Sequence, residues 1–219
     1  MRYRVVAAVD HPVLGEIKRY VSYGILEDCW SLTVSLPAFR ICYERWGDDG
    51  REFPDRRDED ARAGRFPLRI PFTPADGPGR HEPPLPSDAQ VATVEYLKAT
   101  QDRLVAVVAA ALVEQAPKRF HWEDVSRHLS DVMLERLATP AGMLQAVELE
   151  GFCLGVRERD GLVQVGLAFH SGILETEHGV SVILHRDVPV LVGAWDCLDQ
   201  IDSTQDDWDR LMGASGPDG

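Results

Sequence analysis

SDAQVATVEYLKATQDRLVAVVAAALVEQ, residues Ser87 to Gln115, contains neither glycine nor proline. Val94, Leu97, Leu104, Val108 and Ala111 recur at spacings of three, four or seven, which is one stripe of a 3.6-residue helix. Ser87 followed three residues later by Gln90 predicts a capping box that satisfies the first free backbone N–H groups. Pro117 is expected to stop the helix. At 1.5 Å per residue it would run about 43 Å, long enough to serve as the element on which strands from both halves of the chain meet.

Upstream, Arg4–Val9 and Ile17–Tyr23 read as short strands separated by Asp10-His11-Pro12 and Gly15. Trp30, Leu32, Val34 and Leu36 alternate with Ser31, Thr33 and Ser35, a half-buried strand with Trp30 in the core. Phe39, Ile41 and Tyr43 resume the alternation beyond Pro37, which predicts a kinked continuation of that strand. Residues 47–86 differ in kind. They hold eight of the chain's 14 prolines and open on a mixed charge run, so they read as a solvated loop. Within them Phe66, Leu68, Ile70 and Phe72 alternate with Pro67, Arg69 and Pro71. Because proline cannot donate to a ladder, that segment is expected at a sheet edge or lying on the core.

Downstream, Phe120–Ala138 reads as a second helix with Val125, Leu129, Val132 and Arg136 on one face, ended by Thr139-Pro140. An antiparallel meander follows. Gly151 marks a bulge in its first strand, and Asp160-Gly161 is a type I′ hairpin turn. Val163–Phe169 returns, and Val180–Leu184 turns at Arg186-Asp187 into Val188–Val192. The predicted architecture is α+β, an antiparallel sheet with two main helices packed on one face. Residues 1–195 are read as one domain and 196–219 as an acidic tail with a short helix and a disordered end.

With 36 acidic against 23 basic residues the formal charge is −13, which argues against nucleic-acid or anionic-membrane partners and fits a basic protein partner. The longest apolar run falls far short of the ~20 residues of a membrane span. The N-terminus lacks a signal-peptide core, so a cytoplasmic location is expected. Cys29, Cys42, Cys153 and Cys197 show no C-x-x-C spacing and read as reduced, mostly buried thiols.

Phosphate-loop, dinucleotide, nucleophile-elbow, kinase, deaminase and zinc-finger signatures are absent from the sequence. No cofactor, metal or catalytic residue is therefore assigned. His121 and His128 stand seven apart, not at the i, i+4 spacing of a helical metal site. One polar cluster, His170, Glu175, Glu177, His178 and His185, lies on or beside one predicted hairpin; with His170 ending one strand and His178 opening the next, the two imidazoles would face each other across the loop and, with a carboxylate, could hold zinc or iron. In the tail, seven aspartates accompany a single cation, Arg210. Asp206, Asp207, Trp208 and Asp209 together offer carboxylates around an aromatic anchor for a basic partner, although such a tryptophan more often docks its own tail.

HPVLGEI at His11–Ile17, WSLTVSL at Trp30–Leu36, PSDAQVATVEYL at Pro86–Leu97 and EHGVSVILHRDVPVLVG at Glu177–Gly193 give the chain its resemblance to a bacterial family of uncharacterised α+β domains. Those domains combine a long central helix with a closing meander that contains Glu-His-Gly. By analogy the resemblance implies a small, acidic, non-enzymatic protein similar to the immunity proteins of bacterial toxin systems.

The sequence therefore predicts a non-enzymatic, acidic protein-binding module that neutralises a basic toxin or similar partner. Carboxylates of the tail or of the Asp48–Asp60 loop would meet Lys and Arg. The alternative is a metal-dependent or small-ligand enzyme that uses the His170–His185 hairpin; a structural oligomer subunit is a third reading.

Overall fold

The computed structural model describes residues 4–22, 25–26, 29–43, 57–72, 83–120, 122–174, 179–194, 198 and 201, with the side chains of 21, 22, 25, 26, 57, 58 and 123 left aside. Nine strands among them form one sheet. They are β1 (Arg4–His11), β2 (Gly15–Ser22), β3 (Ile25–Leu26), β4 (Cys29–Ser35), β5 (Arg65–Pro71), β6 (Glu148–Arg159), β7 (Leu162–His170), β8 (Val180–His185) and β9 (Val188–Gly193). The order is β1-β2-β4-β5-β6-β7-β8-β9, with β3 on β2. Every pairing is antiparallel except β5 with β6. The chain is α+β.

Helix α1 spans Arg57–Arg62 and α2 spans Asp88–Arg119. The capping box on α2 is complete. The Ser87 N–H donates to Gln90 Oε1 at 3.0 Å and the Gln90 N–H donates to Ser87 Oγ at 3.2 Å. The predicted stripe of Val94, Leu97, Leu104, Val108 and Ala111 is buried, against β6 to β9. Pro117 does not stop α2, which runs on to Arg119. A proline this near the C-terminus removes one rung only, and the Phe120 N–H still reaches the Ala116 carbonyl at 3.1 Å.

The second helix, expected over Phe120–Ala138, is divided in two, α3 (Trp122–Arg127) and α4 (Asp131–Leu137), and a further helix, α5 (Pro140–Gln145), follows it. Ser130 caps α4 by accepting the Met133 N–H, and Thr139 caps α5 by accepting the Gly142 N–H at 3.1 Å. Pro140 thus opens a helix at its first position instead of only ending one. Val132, placed by the sequence on the buried face, is 73% exposed. Phe39, Ile41 and Tyr43 do not continue a strand either. Pro37–Tyr43 is a 3-10 helix that buries Phe39 and Cys42, three residues apart as that helix requires.

β5 is the largest departure from the sequence reading, because it lies inside the sheet. Leu32 faces Leu68 and Thr33 faces Pro67 on one side, while Leu68 faces Phe152 and Arg69 faces Cys153 on the other. Two features accommodate its prolines. The parallel ladder is only two residue pairs long, and Gly151 leaves space beside Pro67. A Cβ on Gly151 would stand 2.7 Å from the Pro67 carbonyl oxygen. Phe66, Leu68 and Ile70 fill the core, where Phe39, Phe66 and Phe152 meet edge to face at 5.4–6.5 Å.

The predicted bulge at Gly151 is present as a register shift between Leu149 and Gly151. Asp160 and Gly161 both have positive φ, as a type I′ turn demands. A larger irregularity was not predicted. Leu154 faces Val165 but Glu158 faces Val163, so three residues of β6 oppose only Gln164. The first turns of α2 complete this gap. Gln90 Nε2 donates to the Gly155 carbonyl at 3.0 Å and to the Pro71 carbonyl at 2.8 Å, while Thr93 Oγ1 accepts the Val163 N–H at 2.9 Å.

Candidate functional site

Several of the buried polar side chains serve the backbone. Gln90 uses its carbonyl for the cap and both amide protons for β5 and β6. Thr93 donates to the Ala89 carbonyl at 2.7 Å while it accepts from Val163. Ser171 Oγ donates to the Ala146 carbonyl and accepts the Leu174 N–H, each at 3.0 Å. Ser181 Oγ donates to the Ala194 carbonyl at 2.8 Å. Each is a short-range repair of a turn or ladder.

His170 and His185 do not meet. Phe169 faces Val180 and Val165 faces Leu184, so β7 and β8 run opposite ways and carry His170 and His185 to opposite ends of the pair. Six residues of strand separate their rows, about 20 Å. His170 faces Glu148 across the ladder. His185 is buried and its Nε2 lies 3.9 Å from Asp160 Oδ2. Burial is the chief cause of its pKa falling below the ordinary imidazole value; Arg159 adds to the fall and Asp160 opposes it. Glu175, Glu177 and His178 lie outside the described residues. Among the described residues, no group of three or more His, Cys, Asp or Glu is placed to hold a metal ion. His128 is exposed, and His121 is not described.

The candidate partner residues Asp206, Asp207, Trp208 and Asp209 also lie outside the described residues, as does the loop from Asp48 as far as residue 56. Asp60, expected in that loop, lies instead in α1 and pairs with Arg65. Two residues at the start of the tail, Leu198 and Ile201, are placed against the sheet. A Cβ on Gly166 of β7 would stand 2.4 Å from Leu198 Cδ2 and 3.2 Å from Ile201 Cδ1. Gly166 faces Cys153 and Ile183 in its two ladders, so Leu198 and Ile201 pack over this row. The Ile201 N–H donates to the Leu198 carbonyl at 3.1 Å, and Ile201 is buried. A glycine amid β-branched and apolar strand residues was the available signal, since it marks close approach by another segment.

Cys42 is buried, and burial pushes its thiol up to about 12. Cys29 and Cys153 are half-buried and in no disulfide, so Cys153 is less enclosed than its apolar strand suggested. No helix among the described residues is long and apolar enough to cross a membrane. In the three comparisons with known proteins, no family model, no curated protein and no solved structure matches this chain.

Proposed function

We propose that this protein is a non-enzymatic, acidic protein-binding module of the cytoplasm, similar in kind to immunity proteins, that engages a basic partner through its C-terminal tail. The observation that carries this reading is the placement of charge. The chain has a net charge of −13, and residues 196–219 hold seven aspartates against Arg210 alone. Leu198 and Ile201, at the start of that tail, pack over the row of Gly166. Opposite charge accelerates encounter and sets which partners are tolerated. Asp206, Asp207 and Asp209 then meet Lys or Arg around Trp208 as the apolar anchor. In this reading α2 and the shorter helices form a layer over one face of the sheet.

The enzyme alternative on the His170–His185 hairpin gains no support from a register that holds those two histidines about 20 Å apart. To test the binding reading, the full chain is immobilised in an extract of its host at low and at high salt. A basic protein retained at low salt and released at high salt is expected. Recovery of the chain alone under both conditions contradicts the reading.

A further inference from the structure

β1 is apolar on both faces. It reads RVVAAVDH, a continuous run from Val5 to Val9 and not the alternation of a strand with one solvated face. Ala7 and Val9 pack against the core, but Val5, Val6 and Ala8 are exposed. Val13, in the turn that follows, is exposed too. β1 is also an open edge, since among the described residues it pairs with β2 alone. The opposite edge, β9, is interrupted by Pro189 and packed by α2. β1 holds no proline, and its charges stand only at its two ends. At one end Asp10 faces Glu16 across the β1–β2 ladder, like charges directly opposite each other, and Lys18 is engaged by Glu16 at 2.6 Å. Among the described residues neither Arg4 nor Asp10 has an ion-pair partner.

We propose that β1 is the pairing edge for a second copy of this chain, antiparallel about Ala7. That dyad sets Arg4 of each copy opposite Asp10 of the other, and Val5 and Val6 opposite Val9 and Ala8, so that two sheets become one. Charge selects a second copy as the occupant. Both ends match at once only when the facing strand carries a guanidinium and a carboxylate in the reverse order, as β1 itself does. The register shift toward β2 between Val5 and Ala7 does not bar this, because β6 is bulged toward β7 and still pairs with β5. The β1–β2 hairpin carries Arg4, Lys18 and Arg19 against Asp10 and Glu16, so the copies meet through a part of the chain that escapes the overall charge of −13. One strand pair is a small interface, and the dimer should dissociate in the micromolar range. The inference is independent of the tail and of any basic partner.

Sedimentation of the full chain is followed over rising concentration for wild type, for Arg4→Asp, for Asp10→Arg and for an equal mixture of these two variants. Wild type is expected to dimerise. Each variant alone sets like charges opposite each other at both ends and should associate at least about tenfold more weakly. The mixture should recover wild-type association, because each end of a mixed pair again joins a carboxylate to a guanidinium. Val6→Lys, which places a charge on the open edge, should abolish the dimer as well. Arg4, Val6 and Asp10 are exposed, so at low concentration the circular dichroism and Tm of every variant should match wild type. A chain that stays monomeric up to its solubility limit overturns the proposal. So do dimers that the single variants and Val6→Lys leave intact, or a mixture that associates no more tightly than its components.

Discussion

Thr93 Oγ1 accepts the Val163 N–H at 2.9 Å, joining the second turn of α2 to the start of β7 across 70 residues of sequence. The contact lies where three residues of β6 oppose one of β7, so the ladder cannot supply its usual partner there. A helix side chain takes the place of a strand carbonyl. Gln90, one turn earlier, does the same for the Gly155 carbonyl. The long helix is thus bonded into the sheet as well as packed on it.

Thr93→Val keeps the shape of the side chain and removes the acceptor. Thr93 is 1% exposed, so water cannot replace it, and the variant should lose about 1–3 kcal/mol of stability. Thr93→Ser should lose less, since it retains the hydroxyl. Urea denaturation of the three proteins checks the order. Equal midpoints for wild type and Thr93→Val would show that the bond contributes nothing.

Gln90→Leu removes one half of the capping box and both carbonyl contacts while it preserves bulk. About 2–4 kcal/mol should be lost, combining a cap with two buried carbonyls deprived of their donor. Amide exchange should quicken at the β5–β6 junction and the first turn of α2 together. Faster exchange at the helix end alone would mean that the contacts with Pro71 and Gly155 do not hold the sheet.

Two glycines separate hard contacts from soft ones. A Cβ on Gly151 meets the Pro67 carbonyl oxygen at 2.7 Å, which is backbone of the neighbouring strand, whereas one on Gly166 meets Leu198 Cδ2 at 2.4 Å, the end of a side chain. Gly151→Ala should therefore cost about 1–3 kcal/mol by forcing β5 and β6 apart. Gly166→Ala should cost less, and Gly166→Val should expel Leu198 and Ile201 and expose the chain beyond residue 194 to protease. Thermal melts and limited proteolysis distinguish the three.

Acid should weaken the fold through His185. Its folded pKa is depressed, chiefly by burial, so below the unfolded value near 6.5 the unfolded chain binds a proton that the folded one resists. The contribution of a neutral His185 is complete above that value and is lost as pH falls from there through the folded pKa. His185→Phe removes this dependence. Denaturation midpoints measured between neutral pH and about 5 should fall less steeply for the variant than for wild type; parallel curves would contradict the assignment.

The helix at Ser87 was legible because its signals are local. A cap, a stripe and the absence of glycine and proline agree over 29 residues. The Asp160-Gly161 turn was legible for the same reason. Position in the sheet was not. Pro67 and Pro71 pointed to an edge, and only the glycine at 151, 84 residues after Pro67, shows how an interior place was made. The end of the second helix before Thr139-Pro140 was legible, but its break was not, because Ser130 was read as a passing polar residue, and Thr139 was read as a stop and not also as the cap of the next helix. For the candidate site, the tail's charge was visible in the sequence, and Gly166 marked a close approach to β7, but that Leu198 and Ile201 make it depends on a contact between distant segments. Of the hairpin histidines, His178 was expected to face His170 across the loop and lies outside the described residues; the register, which decides which residues face, carries His170 and His185 apart.

Salt-dependent association of the full chain, set beside a chain ending at Ile201, tests the proposed function most directly. Both are immobilised in host extract and washed through rising salt, with circular dichroism confirming that each is folded. The account predicts a basic protein held by the full chain at low salt, released as salt rises, and not held by the shortened chain. Equal retention of the same protein by both chains would contradict it.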